Sequence, residues 1–535
     1  MKQIFFAVAL LASVTMTAQV TKPLEDVNHV TDLTLDSLNK AASARPLPGS
    51  SRRGNNPVLF LVGNSTMRNG TLGNGNNGQW GWGYYEHDFF DENKITVENQ
   101  ALGGTSSRTF YNRLWPDIRK ALLPGDWVLI ELGHNDNGPY DSGRARASIP
   151  GIGRDSLNVV IKETGVKETV YTYGEYIRRF IHEARAMGAH PVLLSLTPRY
   201  AWKDGKIERK TEMTEWEMEV AKAENVPFIP LNELSASKLD KFSHEKVGYY
   251  FYLDHIHSSV YGAQMNARTV AEGLAASNDS QLDFLKSCLR PLSVATVEVN
   301  REEGKPVVFI TGDSTVKNED RDENSMWGWG SVANTIFNTK KITPVNCAKA
   351  GRSCRTFINE GRWEQVYNSI RPGDYVLIQF GHNDVGAIDK DRERGEIIGT
   401  ADTSHVYKLK SNGKYEVVYS FGWYLRKFID DVREKGGIPI LLSLTPRNEW
   451  KDGKIERRND TYGKWYREVV SQTGVEFVDV HNISADALDK KGQEKAAAYF
   501  NHDHTHSSLT GARNNARSVA KGLKQIHSSL AKYLK

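Results

Sequence analysis

Cysteine is nearly absent. Three occur in 535 residues, Cys288, Cys347 and Cys354, which excludes a disulfide framework. Cys347 and Cys354 stand seven apart, so a single bridge stays open, with buried free thiols as the simpler reading. Charge of one sign is missing as well. Lys plus Arg number 69 against 65 Asp plus Glu, a net +4, which gives no footing for nucleic acid. Long hydrophobic runs are also lacking. Nothing approaches the ~20 apolar residues needed to cross a bilayer, so no membrane insertion is expected. No segment announces an obligate protein partner.

The first residues differ from the rest. "MKQIFFAVALLASVTMTAQ" places Lys2 before an apolar run from Ile4 to Val14, with small residues up to Ala18. This is the pattern of a secretory signal peptide over residues 1–18. No Cys follows it, which argues against a lipid anchor. The expectation is an exported protein, periplasmic or extracellular.

What the chain has in abundance is repetition. "LLSLTPR" occurs at 193–199 and 441–447, and "WKDGKIER" at 202–209 and 450–457. "WGWG" occurs at 80–83 and 327–330, and "GHND" at 133–136 and 381–384. "DHIHSS" at 254–259 matches "DHTHSS" at 503–508. The offset stays between 247 and 249, which means two tandem copies of a whole domain. The expected layout is a leader over 19–54, a first domain over 55–290, a linker over 291–304 and a second domain over 305–535.

Each copy alternates buried strands and helices. "PVLFLV" (57–62), "DWVLIEL" (126–132), "HPVLLSL" (190–196) and "VPFIPL" (226–231) are continuous apolar runs, and the second copy repeats all four. Such runs suit strands covered on both faces, as in a parallel sheet. Tyr173, Tyr176, Ile177, Phe180, Ile181 and Ala184 share one helical face, as do Phe421, Tyr424, Leu425, Phe428, Ile429 and Val432. The fold class is α/β, with a doubly wound sheet in each copy. Ligands bind such sheets at the carboxyl ends of strands, and the polar clusters follow strands.

In the second copy Ser314 follows a strand directly, in "GDST". A serine on such a turn is exposed and rigid, as a nucleophile must be. "DHTH" offers Asp503 and His506, three apart, so the carboxylate can orient the imidazole that takes the serine proton. Gly351 and Asn383 supply oxyanion donors beside the N–H of Ser314. Asp503, His504 and His506 also suggest a metal site, but no further Cys/His cluster supports it.

Ser in "GDST", Gly in "AGRS", Asn in "GHND", and Asp and His in "DHTH", in this order, resemble the SGNH (GDSL-type) hydrolases and, within them, the rhamnogalacturonan acetylesterases. The resemblance covers nearly the whole mature chain, once per copy. It implies two tandem three-layer α/β/α (flavodoxin-like) domains and a triad of Ser314, His506 and Asp503 that needs no metal or other cofactor. The reaction it implies is removal of acetyl groups from pectic polysaccharide through an acetyl-enzyme. In the first copy Ser65, Gly104, Asn135, Asp254 and His257 fill the same roles. Two departures stand out: Asn64 replaces the family Asp, and Thr105 stands where Arg352 does. Asn64 occupies none of the five roles, so activity is expected to survive, with a silent glycan-binding copy as the alternative. An acetylesterase for xylan or another glycan is the other enzymatic reading.

Trp80, Trp82, Trp327 and Trp329 are candidates for stacking on sugar faces, or else core residues. Arg108 and Arg355 are candidates for a uronate carboxylate, or else structural ion pairs. Insertions at about 137–172 and 385–420 follow "GHND", either as substrate walls or as charged hairpins.

Overall fold

A computed structural model describes residues 44–209, 212–317, 326–501 and 503–535. The expected signal peptide and the leader up to residue 43 lie outside the described residues. No helix among those described is long and apolar enough to cross a membrane.

The first domain is built on five strands: β1 (Val58–Gly63), β2 (Thr96–Asn99), β3 (Trp127–Glu131), β6 (His190–Leu194) and β9 (Phe228–Ile229). They pair in parallel in the order β2-β1-β3-β6-β9. Between them lie a hairpin, β4 (Ser156–Val160) with β5 (Lys167–Tyr171), and a two-residue ribbon, β7 (Trp202–Lys203) with β8 (Lys206–Ile207). The second domain repeats this as β10 (Val307–Gly312), β11 (Thr343–Asn346), β12 (Tyr375–Gln379), β15 (Ile438–Leu442) and β18 (Glu476–Val478), in the order β11-β10-β12-β15-β18. Its hairpin is β13 (Ser404–Lys408) with β14 (Tyr415–Tyr419), and its ribbon is β16 (Trp450–Lys451) with β17 (Lys454–Ile455).

The strands are apolar throughout because both sheet faces are covered. In β1, Val58, Phe60 and Val62 pack into one core while Leu59 and Leu61 pack into another. In β10, Val307 and Phe309 divide in the same way from Val308 and Ile310. Period-two alternation into two cores is the mark of a three-layer sandwich. The helices Tyr173–Ala186 and Phe421–Glu434 bury the faces their spacing marks out. Thr172 and Ser420 cap them, each accepting an N–H from the first turn.

Each copy also ties down the chain ahead of its first strand. Arg52 pairs with Asp126 at 2.6 Å, and Arg301 with Asp374 at 2.7 Å. The described part of the leader, and the end of the linker, therefore lie against their domains. The three cysteines are free thiols.

The two insertions become hairpins, and they differ. Leu157, Asn158 and Val160 of β4 are exposed, whereas Ser404 to Tyr407 of the equivalent β13 are half-buried. The second hairpin leans on the first domain: a Cβ added to Gly78 would lie 2.9 Å from Val406 Cγ2.

Candidate active site

The nucleophile loop is the turn that ends the first strand of each sheet. Ser65 leaves β1 and Ser314 leaves β10. Arg68 N–H bonds the Asn64 carbonyl at 3.0 Å, and Lys317 N–H bonds the Asp313 carbonyl at 2.9 Å, closing the turn in both copies.

Ser65 Oγ lies 2.8 Å from His257 Nε2, and His257 Nδ1 lies 2.6 Å from Asp254 Oδ2. In the second copy Ser314 Oγ lies 2.9 Å from His506 Nε2, and His506 Nδ1 2.6 Å from Asp503 Oδ2. The other carboxylate oxygen of each Asp accepts the histidine's own N–H, at 2.8 Å and 2.7 Å. One carboxylate thus fixes both the ring and its backbone. Burial pushes the Asp254 carboxyl up, but the bonds from His257 and the nearby backbone overcome it and hold it at about 2. Asp503 is held below its usual range in the same way. An ionised Asp leaves Nδ1 protonated and Nε2 as the base facing the serine. The six residues form one Ser–His–Asp row in each copy.

The oxyanion candidates converge too. Gly104 and Gly351 have φ of +76° and +78°, backbone that glycine adopts without strain. A Cβ built on Gly103 would lie 3.6 Å from that of Ser65, so this loop runs against the nucleophile. Asn135 Nδ2 donates to Thr105 O at 3.0 Å, and Asn383 Nδ2 to Arg352 O at 3.0 Å. One N–H of each amide locks the side chain to the glycine loop.

The chain carries two successive matches to the GDSL-like lipase/acylhydrolase family, over residues 59–270 and 310–513. A rhamnogalacturonan acetylesterase of Emericella nidulans is 30% identical over 205 residues, covering 38% of this chain and 79% of that one. The chain belongs to this family. It is a carboxylic ester hydrolase. The rhamnogalacturonan acetylesterase RhgT of Bacillus subtilis is 30% identical over 246 residues, covering 43% of this chain and 95% of that one. Among solved structures, an acetyl-xylooligosaccharide esterase from Geobacillus matches with TM-score 0.30 and 16% identity, over 42% of this chain and 97% of that one.

The family fold leaves no place at the surface for several expected sugar contacts. Trp82 and Trp329 are fully buried, their Nε1 groups bonded to Glu131 Oε2 at 2.8 Å and Gln379 Oε1 at 2.7 Å. Trp80 is buried against Tyr84 and Tyr85. Trp327 alone of the four stays half-buried, packed on the second core. Arg108 and Arg355 are not substrate contacts either. Each is buried, bonded through Nε to a hairpin carboxylate, Glu168 at 2.7 Å and Glu416 at 2.6 Å. They also cap the carbonyls of Tyr140 and Ala147, or of Ile388 and Gly395. The structural alternative holds because a fully desolvated guanidinium needs its donors filled.

Other arginines approach the site instead. Arg146 Nη1 bonds Gly104 O at 3.0 Å, and Arg394 Nη1 bonds Gly351 O at 3.3 Å. A Cβ on Gly104 would lie 3.4 Å from Arg144 Nη1. These side chains come from the insertions, where "SGRARAS" and "DKDRERGE" signal charge but not direction. Beneath each nucleophile loop lies a further buried pair, Asn64 with Glu131 and Asp313 with Gln379. Burial raises the Glu131 carboxyl to about 7 and the Asp313 carboxyl to about 6.

Among the described residues, Cys354, Asp384 and Glu396 bring ligand atoms within 4.8 Å of one another, as a metal would need. Asp384 accepts the Cys354 N–H at 3.0 Å and Glu396 the Arg355 N–H at 2.7 Å, and burial raises both carboxyls. In the first copy Ser107 and Ser148 bond Asp136 directly. Those hydroxyls brace the "GHND" turn in the first copy.

Proposed function

We propose that this chain is an exported carbohydrate esterase that removes acetyl groups from acetylated pectic polysaccharide, rhamnogalacturonan in particular, and that both copies are active. The carrying observation is the complete Ser–His–Asp geometry in each domain, with Ser-to-His distances of 2.8 Å and 2.9 Å. The relatives named rhamnogalacturonan acetylesterase support the substrate class.

The steps follow from the atoms. His257 Nε2 or His506 Nε2 takes the serine proton as Oγ attacks the acetyl carbonyl. Negative charge on the carbonyl oxygen is met by the N–H groups of Ser65, Gly104 and Asn135, or of Ser314, Gly351 and Asn383. The imidazolium, steadied by its Asp, protonates the departing sugar oxygen, which leaves as a hydroxyl. Water, deprotonated by the same imidazole, then frees acetate from the serine ester.

Arg146 and Arg394 favour an acidic glycan. Each is half-buried beside the oxyanion glycine, and among the described residues neither has a carboxylate within ion-pair distance. Burial and the neighbouring Arg144 push the Arg146 guanidinium below its usual range. A uronate carboxylate would meet a guanidinium that Asp136 balances only from a distance. The test is acetate release from acetylated rhamnogalacturonan and from acetylated xylan, by the parent and by Arg146→Ala/Arg394→Ala. Preference for the acidic polymer that the double variant loses supports the reading. Faster release from xylan, unchanged by the variant, contradicts it.

A further inference from the structure

The two copies differ beneath the nucleophile by a reciprocal exchange. Asn64 stands where the second copy has Asp313, and Glu131 stands where it has Gln379. The register confirms the match: Gly63 pairs with Glu131 across β1 and β3, and Gly312 with Gln379 across β10 and β12. All four side chains are fully buried. Each copy therefore holds one carboxyl and one carboxamide at these positions, in opposite order.

A threonine of the nucleophile loop touches the carboxyl in both. Thr66 donates to Asn64 Oδ1 through its N–H at 3.0 Å and its hydroxyl at 2.9 Å, and that hydroxyl also lies 3.0 Å from Glu131 Oε1. In the second copy Thr315 donates to Asp313 Oδ1 through its N–H at 2.9 Å and its hydroxyl at 2.8 Å. The tryptophan is shared as well, Trp82 on Glu131 and Trp329 on Gln379. The remaining bonds follow the chemistry: Glu131 accepts the Thr197 N–H at 3.1 Å, whereas Gln379 donates to the Ser443 carbonyl. Two carboxyls here would repel each other in a dry site, and two amides would leave the threonine without a carboxyl partner.

We propose that Glu131 is a positioning residue for Ser65, anchoring the nucleophile loop through Thr66 as Asp313 anchors the other loop through Thr315. Asn64 keeps the two bonds to Thr66 that Asp313 makes to Thr315, and Glu131 adds the carboxyl that Asn64 lacks. This rests on the esterase role of Ser65 proposed above and not on the identity of the polysaccharide.

The test isolates the first site in a Ser314→Ala chain. Hydrolysis of p-nitrophenyl acetate gives kcat and KM, and the rate at which a fluorophosphonate labels Ser65 reports the nucleophile without turnover. Glu131→Gln is expected to lower kcat and labelling roughly tenfold or more with KM little changed, as for a displaced nucleophile. Asn64→Asp is expected to lower both as well. Asn64→Asp/Glu131→Gln recreates the second copy's pair and should recover most of the loss, which a purely structural role for either residue would not produce. The mirror pair, Asp313→Asn/Gln379→Glu in a Ser65→Ala chain, should recover against Asp313→Asn alone. Where Glu131→Gln fails to fold, the double variant decides. Parent-like rates for Glu131→Gln, or a double variant no better than the worse single one, overturn the proposal. So does a Ser314→Ala parent that neither turns over nor labels at Ser65. Activity on p-nitrophenyl acetate without any on acetylated rhamnogalacturonan would instead sink the polysaccharide assignment and leave this one standing.

Discussion

Lys246 Nζ of the first domain lies 3.2 Å from Asp431 Oδ1 of the second, and both side chains are almost wholly buried. Around them the Tyr249 hydroxyl donates to Asp430 at 2.8 Å, and Tyr249 meets Trp423 edge-on at 5.0 Å. Tyr249 belongs to the same apolar cluster as β10 and β12. The two copies are thus joined through a shared core and a buried charge pair. Lys246→Met should destabilise the chain by roughly 2 kcal/mol, less than the loss of an isolated buried pair because Lys427 also bonds Asp431. Denaturant titration followed by tryptophan fluorescence measures it.

Acid should loosen the same joint. Burial pushes the Asp431 carboxyl up, but Lys427 and Lys246 outweigh it and hold it below its usual range. A depressed carboxyl contributes stability above its unfolded pKa of about 4 and loses it as pH falls through the folded value. Calorimetry below pH about 4 should show the single transition separating towards two, one per domain. Asp431→Asn should remove most of that acid dependence.

Glu131 predicts the opposite sign for the first domain. Its carboxyl is raised to about 7, so the folded state binds a proton that the unfolded state has released. Its contribution is most favourable below the unfolded pKa and fades as pH rises through about 7. Trp82, Thr66, Thr197 and the neutral His134 face it, and Glu217 and Tyr173 stand behind. Glu131→Gln removes the titration. The stability of the parent relative to this variant should fall between pH 5 and pH 8, by up to roughly 3 kcal/mol. A difference that stays constant with pH would contradict it.

The buried arginines predict a loss of stability without a loss of substrate binding. Arg355→Ala would strand the carbonyls of Ile388 and Gly395 and leave Glu416 with Asn359 alone. The expected cost is about 3 kcal/mol or more. At low temperature, where the variant stays folded, KM for the acetylated polymer should match the parent. A rise in KM with unchanged melting would restore the substrate role.

The strands, the doubling and the six triad residues were legible because each rests on a local signal. Continuous apolar runs mark β1, β3 and β6, and short fixed spacings mark Asp254 with His257. What stayed hidden depends on direction in space. The sequence places Trp82 beside the nucleophile loop, but only the fold turns its ring beneath Glu131. Arg108 sits next to the oxyanion glycine in sequence, yet its helix points it at the hairpin, while Arg146, forty residues on, reaches Gly104. Strand β2 gives a weaker signal because "TVEN" lies at a sheet edge and carries no apolar run. The Glu131–Gln379 exchange is visible in the aligned copies, but it gains meaning only when register sets it beside Asn64 and Asp313.

The most direct measurement is acetate release from acetylated rhamnogalacturonan by the parent, Ser65→Ala, Ser314→Ala and the double variant. Two working esterases predict that each single variant keeps part of the activity and that only the double variant is silent. Complete loss in Ser314→Ala alone would contradict this, leaving the first domain's triad idle on that polymer.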